Sequence, residues 1–271
     1  DTTGGLRRGI LVGVLFGIAV LCRPATWVVG GLAIGAALLG RRSPRRFGLL
    51  AAIVAAALTV SPWAIRNAIH DGGPLVTTTH GGYTLLLGNN PVFYREVVRA
   101  PWGTVWNDDS QDSQADWLER LEHEQPATAD GIPGERQRDS WMYRRARANM
   151  AADPGGCLGA CWLRLRRLWN LAPLEGDMAT PARLGVGLFY LVVSIAAIAG
   201  LVRRPWKTHD GWGLPLLWIV GLTLVHLLFW STMRMRAPLV PIISLLAACG
   251  LRGTVMPPGG SSESSEPSPA A

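Results

Sequence analysis

Four arginines at the ends of apolar segments have side chains that could bind a phosphate group. They are Arg23 in LCRPATW, Arg66 in SPWAIRN, and Arg234 and Arg236 in MRMRAP. An arginine near a bilayer is costly unless its guanidinium faces water, lipid headgroups or a buried anion. Because the guanidinium fork matches phosphate through two parallel hydrogen bonds, we predict that these residues bind a phosphate or pyrophosphate. For each arginine taken alone, the other interpretation is a side chain that reaches the phosphates of ordinary lipids.

The stretch GGYTLLLGNNP, Gly81 to Pro91, carries uncharged amides beside an aromatic ring. Its last four residues are typical of a turn, because asparagine tolerates left-handed backbone and Asn-Pro favours turn initiation. A turn alone is the simpler interpretation. A sugar-binding surface is the second, since amides hydrogen-bond hydroxyl groups and aromatic rings pack on pyranose faces. On that interpretation the sugar or acceptor pocket consists of Trp63, Asn67, Tyr83, Asn89 and Asn90.

No residue stands out as a catalytic base. The outer acidic candidates are Asp71, Glu96, Asp108 and Asp109. Adjacent acids such as the last two are typical of a solvated loop. His226 lies inside an apolar segment, where an ionisable side chain indicates function, and His70 and His80 flank the Gly81–Pro91 stretch. The sequence has no Gly-x-Ser-x-Gly, P-loop or dinucleotide fingerprint, so the catalytic residue stays unassigned.

Metal and nucleic-acid sites are both disfavoured. Cys157 and Cys161 have no cysteine or histidine partners at zinc spacing, and Cys22 and Cys249 lie in apolar runs. The net charge of +7 fits anionic lipid or a phosphorylated substrate. Nucleic acid fits less well, because the arginines border apolar segments and no binding motif is present. We therefore predict no metal ligands and no nucleic-acid partner.

The composition places these residues in a membrane protein. Of the 271 residues, 49% are hydrophobic and only 17% are charged, against about 25% charged in a soluble domain. The apolar segments are Ile10–Leu21, Ala25–Leu39, Phe47–Trp63, Leu184–Val202, Trp212–Trp230 and Leu239–Leu251. The third to fifth come near the roughly 17–25 residues of a spanning helix, and the first two form a hairpin at Arg23-Pro24. We predict an all-α polytopic membrane protein with about six transmembrane helices.

Short basic clusters set the predicted orientation. With alternating spans they fall on one side, which the positive-inside rule makes the cytoplasm. They are Arg7-Arg8, RRSPRR (Arg41 to Arg46), RRPWK (Arg203 to Lys207) and Arg252. The four candidate arginines fall on the other side. We divide the chain into transmembrane helices (1–63), a largely helical extracytoplasmic region (64–183), further transmembrane helices (184–252) and a disordered cytoplasmic tail (253–271). Within the extracytoplasmic region we predict a helix over Gln137–Ala152, which Asp153-Pro154-Gly155-Gly156 ends.

A basic amphipathic helix is predicted near the end of the extracytoplasmic region. In CLGACWLRLRRLWNL, Cys157 to Leu171, the apolar side chains fall within an arc of about 140° when residues step by about 100°. Arg164, Arg166 and Arg167 fall on the other side. Such a helix, centred on Leu163–Trp169, lies in the headgroup plane of a bilayer. The alternative is a helix packed on the extracytoplasmic region with solvated arginines.

Three motifs resemble, in this order along the chain, those of the polytopic GT-C glycosyltransferases: SPWAIRN, GGYTLLLGNNP and MRMRAPLVPIISLLAACGL. The similarity is to the bacterial protein mannosyltransferases and aminoarabinose transferases. LCRPATW and the DPGG break before an arginine-rich helix fit the same group, so the resemblance spans residues 6–252. The family's catalytic aspartate lies in an earlier extracytoplasmic loop without a counterpart here, and Asp1 is too far from any span to replace it. The chain therefore resembles the C-terminal half of such an enzyme.

The resemblance implies transfer of a sugar from a polyprenyl-phosphate carrier in the bacterial cytoplasmic (inner) membrane. The acceptor would be a protein, lipid or glycan. The arginines would hold the lipid phosphate, and the aromatic and amide residues would line the sugar or acceptor pocket. The resemblance assigns no cofactor other than this donor, and a divalent metal is an option because some relatives use one. The basic helix would dock on the bilayer where the carrier enters.

Two other functions stay open. A non-catalytic membrane remnant would bind lipid or a partner without catalysing transfer. A transporter or flippase of lipid-linked substrates predicts deep ionisable residues and repeated halves. Only His226 lies deep in an apolar segment, and we find no internal repeat, so the transporter is the weaker of the two.

Overall fold

The protein is all-helical wherever its structure is described. A computed structural model describes residues 2–39, 46–70, 75–76, 78–107, 111–125, 134–174, 178–203 and 213–255, with no strand among them. The predicted all-α class is therefore confirmed. The helices are α1 (Thr2–Cys22), α2 (Thr26–Leu39), α3 (Arg46–His70), α4 (Gly81–Gly88), α5 (Pro91–Phe93), α6 (Gln114–His123), α7 (Glu135–Ala152), α8 (Pro154–Leu168), α9 (Thr180–Arg203), α10 (Gly213–Leu228) and α11 (Val240–Val255). A π-helical turn (Tyr94–Val98) follows α5, and a 3-10 helix (Met233–Leu239) precedes α11.

Among the described residues, four helical stretches are long and apolar enough to span a membrane. They are Gly4–Cys22, Phe47–His70, Thr180–Val202 and Met233–Leu251. The other two predicted segments form shorter apolar helices, Thr26–Ala36 and Gly213–Leu228. The first segment is longer than expected because the helix continues back through Arg7 and Arg8. The fifth is shorter than expected, since α10 ends at Leu228.

Helix α3 continues past Pro62 and past Trp63, the residue at which the third apolar segment was expected to end. Pro62 has no N–H to bond the carbonyl of Leu58, four residues earlier. The Ser61 hydroxyl donates to that carbonyl instead, at 3.0 Å. Because this replaces the missing bond, the helix runs on to His70. Residues 64–70, expected in the extracytoplasmic region, are therefore the last turns of α3.

Close packing of small residues joins the long helices in two pairs. In α1, a Cβ on Gly13 would overlap the Ala52 carbonyl of α3 and lie 2.8 Å from the Ala55 Cβ. Gly9 and Gly17 meet α3 in the same way one turn to either side. Glycines at this spacing let membrane helices approach closely. Gly200 of α9 and Gly250 of α11 form the equivalent contact in the second pair.

The inserted region, helices α4 to α8, has a core of its own. Its aromatic centre runs from Trp117 through Trp106 to Phe93, with ring centroids 5.4 and 5.8 Å apart. Phe93 also packs 5.4 Å from Trp230, just beyond α10. The predicted helix over Gln137–Ala152 is confirmed as α7, and the Asp153 side chain accepts from Gly156 N–H where α8 begins. The inserted region therefore rests on the end of α10.

Several expectations fall on residues outside the described ranges. The clusters at 41–45 and 204–207 and the acids Asp71, Asp108 and Asp109 all lie there. So does the predicted tail from residue 256 onward, while residues 253–255 belong to α11 rather than to that tail. The continuation of α11 follows from its unbroken helical hydrogen bonding beyond Leu251.

Candidate functional site

A cavity of about 760 Å³ lies between α9, the 3-10 helix and the segment that follows α8. Its size falls within the roughly 300–1,000 Å³ of small-molecule sites. One wall carries Arg167, Arg234 and Arg236, and another is apolar, with Val186 and Tyr190 of α9. A cavity with both kinds of wall suits a ligand with an anionic head and an apolar body.

Arg236 is the best-organised cation of this cavity. Its side chain is only 4% exposed, and Nη1 donates to the carbonyls of Asn170 at 2.7 Å and Leu168 at 3.4 Å. The Tyr190 ring covers the guanidinium, with its centroid 4.4 Å from Cζ. Its Nη2 is buried and has no hydrogen-bond partner within the described residues. A buried donor without a partner costs free energy, so this atom is a candidate for a bound acceptor.

Arg234 adds a second positive charge to the same wall. It is exposed, and no hydrogen bond or ion pair occupies it in the described part of the chain. Arg167 is more tightly held, since its Nη2 donates to the Thr104 carbonyl at 2.7 Å. The predicted pair of Arg234 and Arg236 therefore lines one cavity, with Arg167 as a third cation that the prediction did not include.

Arg23 contacts the 3-10 helix from outside the cavity. Its Nη2 donates to the Met235 carbonyl at 3.0 Å and lies 3.6 Å from the Met235 sulfur. Arg23 does not line the cavity. By holding the residue between Arg234 and Arg236, it joins the α1–α2 connection to the 3-10 helix.

Arg66 belongs to a separate group at the end of α3. Its guanidinium lies 5.0 Å from the Trp63 ring, and its Nη1 donates to Asn67 Oδ1 at 3.2 Å. Asn67 is buried and donates to the Leu75 carbonyl at 3.1 Å. The structure brings these three predicted residues together with one another, but none of them lines the arginine cavity.

The amides of Asn89 and Asn90 are buried and bonded within the protein. Asn89 Nδ2 donates to the carbonyls of Leu85 and Leu228, both at 2.8 Å. Asn90 Nδ2 donates to two carbonyls of α4, and its Oδ1 caps Phe93 N–H at 2.8 Å. The chain bends between α4 and α5 as predicted, but the backbone at Asn89 (φ −139°) and Asn90 (φ −140°) is not left-handed. The Asn89 side chain joins α4 to α10, the Asn90 side chain joins α4 to α5, and neither lines the arginine cavity.

Tyr83 lies at the other end of α4. Its ring is half-buried and packs against His80 with centroids 5.1 Å apart. Asp139 of α7 is nearby and accepts from Gly82 N–H at 2.6 Å. Tyr83 is therefore separated from Asn89 and Asn90 by the length of α4, rather than grouped with them in one pocket.

Arg164 was predicted to face headgroups or solvent, and the structure gives it a different role. It is only 1% exposed, and it donates to the carbonyls of Leu227, at 2.7 Å, and Gly88. Its Nη2 also donates to Asn89 Oδ1 at 3.2 Å. Burial lowers the pKa of this guanidinium. The expectation that the α8 arginines meet headgroups or solvent is wrong for Arg164 and Arg167, because backbone carbonyls inside the protein bind them.

The charged side chains that line the cavity in the described part of the chain are all cations. No carboxylate of the described residues lines it, and Glu96 instead pairs with Arg95 on the surface at 2.8 Å. Within the same ranges, no three His, Cys, Asp or Glu side chains come together as metal ligands would. His226 is buried in α10 and is not part of the cavity lining. The cations of the cavity can bind an anion.

A second cavity, of about 480 Å³, lies among α1, α2, α3 and α10. Every residue that lines it is apolar or aromatic, including Phe16 and Trp218. It contains none of the predicted site residues, so the arginine cavity remains the candidate functional site.

Comparison of the chain with protein-family models, with curated proteins and with solved structures finds no match.

Proposed function

We propose that this chain is a membrane glycosyltransferase, or its C-terminal half, that takes a sugar from a polyprenyl-phosphate carrier to an extracytoplasmic acceptor. One observation carries the proposal. Arg236 is buried at the wall of a cavity, with one guanidinium nitrogen that no described residue bonds, and the exposed Arg234 stands two residues away. Guanidinium groups so placed are suited to a phosphate oxygen.

The cavity supports a carrier with a hydrocarbon tail. Val186 and Tyr190 belong to the candidate span Thr180–Val202, so the apolar wall is continuous with a helix that faces lipid. A lipid-linked phosphate could place its head on the arginines and leave its chain along this wall. A free, water-soluble phosphate would gain nothing from the apolar side.

The proposed reaction uses the arginines to stabilise the leaving group. An acceptor oxygen or nitrogen attacks the anomeric carbon, and the bond from that carbon to the phosphate oxygen breaks. Negative charge then grows on the lipid phosphate, where fixed guanidinium groups stabilise it. The acceptor's proton passes to a base outside the described cavity. We propose that this base is the aspartate that the family resemblance places upstream of the chain.

The remaining predicted residues take different roles in this proposal. Asn89 joins α4 to α10 and Asn90 joins α4 to α5, because their amides are already bonded there. Arg23 orients the 3-10 helix. The Trp63, Arg66 and Asn67 group and the more distant Tyr83 stay predictions for the acceptor side. We place all of them on the extracytoplasmic face of a bacterial inner membrane, in a six-helix topology.

A lipid-phosphate binder without catalytic activity is the second candidate. It requires the cations that line the cavity, Arg167, Arg234 and Arg236, and no catalytic group. Both candidates predict binding of the same ligand head. They differ only in whether transfer follows.

Binding can be measured on the purified chain in detergent with farnesyl phosphate, and farnesol serves as the ligand without phosphate. We expect binding of farnesyl phosphate alone, and at least about tenfold weaker binding by Arg234→Ala, since a hydrogen bond to a charged group contributes about 1.5–3 kcal/mol. Arg234 has no described partner, so the fold should persist. Arg145→Ala, which removes an exposed pair with Glu124, is the matched control. Equal binding of the alcohol and the phosphate would reject both candidates.

Transfer separates the two candidates. In membranes containing the full-length protein, Arg236→Ala should abolish sugar transfer from the lipid carrier. Arg236→Lys keeps the charge without the fork and should restore only part of it. Binding of the phosphate with no transfer by the unaltered full-length protein would favour the non-catalytic binder.

A further inference from the structure

Helix α8 exposes its apolar side and buries its basic side. Leu158 is 71% and Trp162 is 62% exposed, and Trp169, the residue directly after α8, is exposed as well. These residues and the partly exposed Leu165 follow one another at intervals of three or four, so they share one face. On the opposite side Arg164 and Arg167 are buried. A helix that bordered water would have the reverse arrangement.

The buried arginines are committed to backbone carbonyls. Arg164 binds the end of α10 and the Gly88 carbonyl, and Arg167 binds the Thr104 carbonyl. Arg166 is exposed, but its guanidinium stacks on the Trp102 ring, with Cζ 3.8 Å from the centroid. The exposed face of α8 therefore has one cation at its edge and none at its centre.

The position of α8 brings this face next to the membrane helices. Helix α8 packs against α10 and against the 3-10 helix that opens the span Met233–Leu251. The chain after α8 lines the arginine cavity and then enters the span Thr180–Val202. Helix α8 therefore lies beside the start of one candidate span and leads along the chain into another, and its exposed apolar side chains lie at that position.

We propose that α8 lies on the bilayer with Leu158, Trp162 and Trp169 inserted at the edge of the hydrocarbon. The partner is the acyl-chain region of the outer leaflet, whatever charge its headgroups carry. Tryptophan is enriched at this depth, and in-plane amphipathic helices bury their apolar face there. Because the arginines face inward, anionic lipid is not required. The bilayer contact and the phosphate site use different residues, so each can fail without the other.

Spin labels can report what surrounds this face. Single cysteines at position 162 or 158, made as Trp162→Cys and Leu158→Cys, are compared with Ala151→Cys on the exposed surface of neighbouring α7. The native cysteines, all free, are first replaced by serine. The full chain is placed in nanodiscs of phosphatidylcholine, with or without phosphatidylglycerol. Relaxation by oxygen, which concentrates in hydrocarbon, is compared with relaxation by a water-soluble nickel complex.

We expect labels at 158 and 162 to be relaxed by oxygen and protected from nickel, and the label at 151 to show the reverse. The pattern should be the same in both lipid mixtures. Nickel access at 158 and 162 equal to that at 151 would overturn the proposal, because the face would then lie in water. Protection from both reagents would also overturn it by indicating a protein partner. If the labels at 158 and 162 were protected from nickel only in nanodiscs that contain phosphatidylglycerol, the bilayer contact would require anionic lipid, contrary to the proposal.

Discussion

The guanidinium of Arg164 is hydrogen-bonded to α4, to the Asn89 amide and to the end of α10. The last carbonyls of a helix carry partial negative charge, and a cation placed there is favourable. Arg164 therefore replaces the water that would otherwise solvate the end of α10. Asn89 binds the next carbonyl along, that of Leu228, so the two side chains together close this helix end.

Arg164→Ala should destabilise the protein by about 3 kcal/mol or more, since it leaves at least two buried carbonyls without donors at about 1–3 kcal/mol each. Thermal unfolding in detergent measures the loss. Arg166→Ala, two residues along the same helix, removes only an exposed contact with Trp102 and should cost about 1 kcal/mol or less. Equal losses for the two variants would contradict the assigned role of Arg164.

The arginine positions show which part of the site could be predicted from the sequence. MRMRAP places two cations two residues apart before an apolar run, and both line the cavity. The separation of Arg66 from that cavity depends on how far α3 extends and rotates beyond Pro62, which sequence spacing does not determine. The sequence also did not determine which side of α8 faces the protein interior. A helical wheel separates arginines from leucines, but only the neighbours decide which side is buried.

At the scale of single elements, the joint between α4 and α7 contains a titratable contact. Asp139 accepts from Gly82 N–H at the start of α4. Burial raises the pKa of its carboxyl, while the Gly82 N–H and His80 oppose that shift. The Tyr143 side chain faces the same carboxyl, which adds to the effect of burial in raising the Tyr143 pKa.

The stability of the protein should therefore depend on pH through Asp139. A folded-state pKa above the unfolded one adds stability at low pH, which is lost as pH rises through the folded-state pKa. Asp139→Asn stays neutral and retains an acceptor for Gly82. At neutral pH it should melt at or above the temperature of the unaltered protein, and this advantage should shrink under acid conditions. A difference in melting temperature that does not change with pH would contradict the assignment.

The α1–α3 pair depends on its glycines. Gly13→Val should destabilise the pair by about 1–3 kcal/mol, because the new side chain would overlap the Ala52 carbonyl. Gly31→Val in α2 is the control, since nothing lies within 4 Å of a Cβ there. Melting temperature in detergent is the measurement. A larger loss for the α2 variant would show that the α1–α3 contact is not as close as described.

The helical elements were easier to predict than their ends. Uncharged runs and the helix over Gln137–Ala152 could be read from composition and periodicity. The extension of α3 could not, because it depends on Ser61 bonding the carbonyl that Pro62 leaves free. Gly9, Gly13 and Gly17 follow one another at intervals of four residues, but no prediction was made from them. Their role depends on the packing of α1 on α3, which the sequence of α1 alone does not determine.

At the scale of the whole molecule, the ends of the apolar helices form two groups, at opposite ends of the protein. Arg23 contacts Met235, and Trp230 N–H donates to Thr84 at 3.1 Å, so the α1–α2 connection, the end of α10 and the inserted region lie together. Gly9 of α1 meets Gly48 near the start of α3, toward the other end. The exposed Arg7 and Arg8 lie near that second end.

Cysteine labelling of the full-length protein in intact cells tests this orientation. In a variant without native cysteines, Ala151→Cys should react with a membrane-impermeant maleimide added outside. Arg8→Cys should react only after the inner membrane is permeabilised. Both positions are exposed, so access decides the outcome. The reverse pattern would invert the proposed topology.

The apolar outer face of α8 also determines how the inserted region behaves away from lipid. If the membrane helices were cut away, Leu158 and Trp162 would still face outward. Contiguous apolar surface of this kind drives association between copies in water. The excised region would therefore self-associate and need detergent, although its own composition is polar. Polar replacements at these two positions would be the first step toward a soluble version.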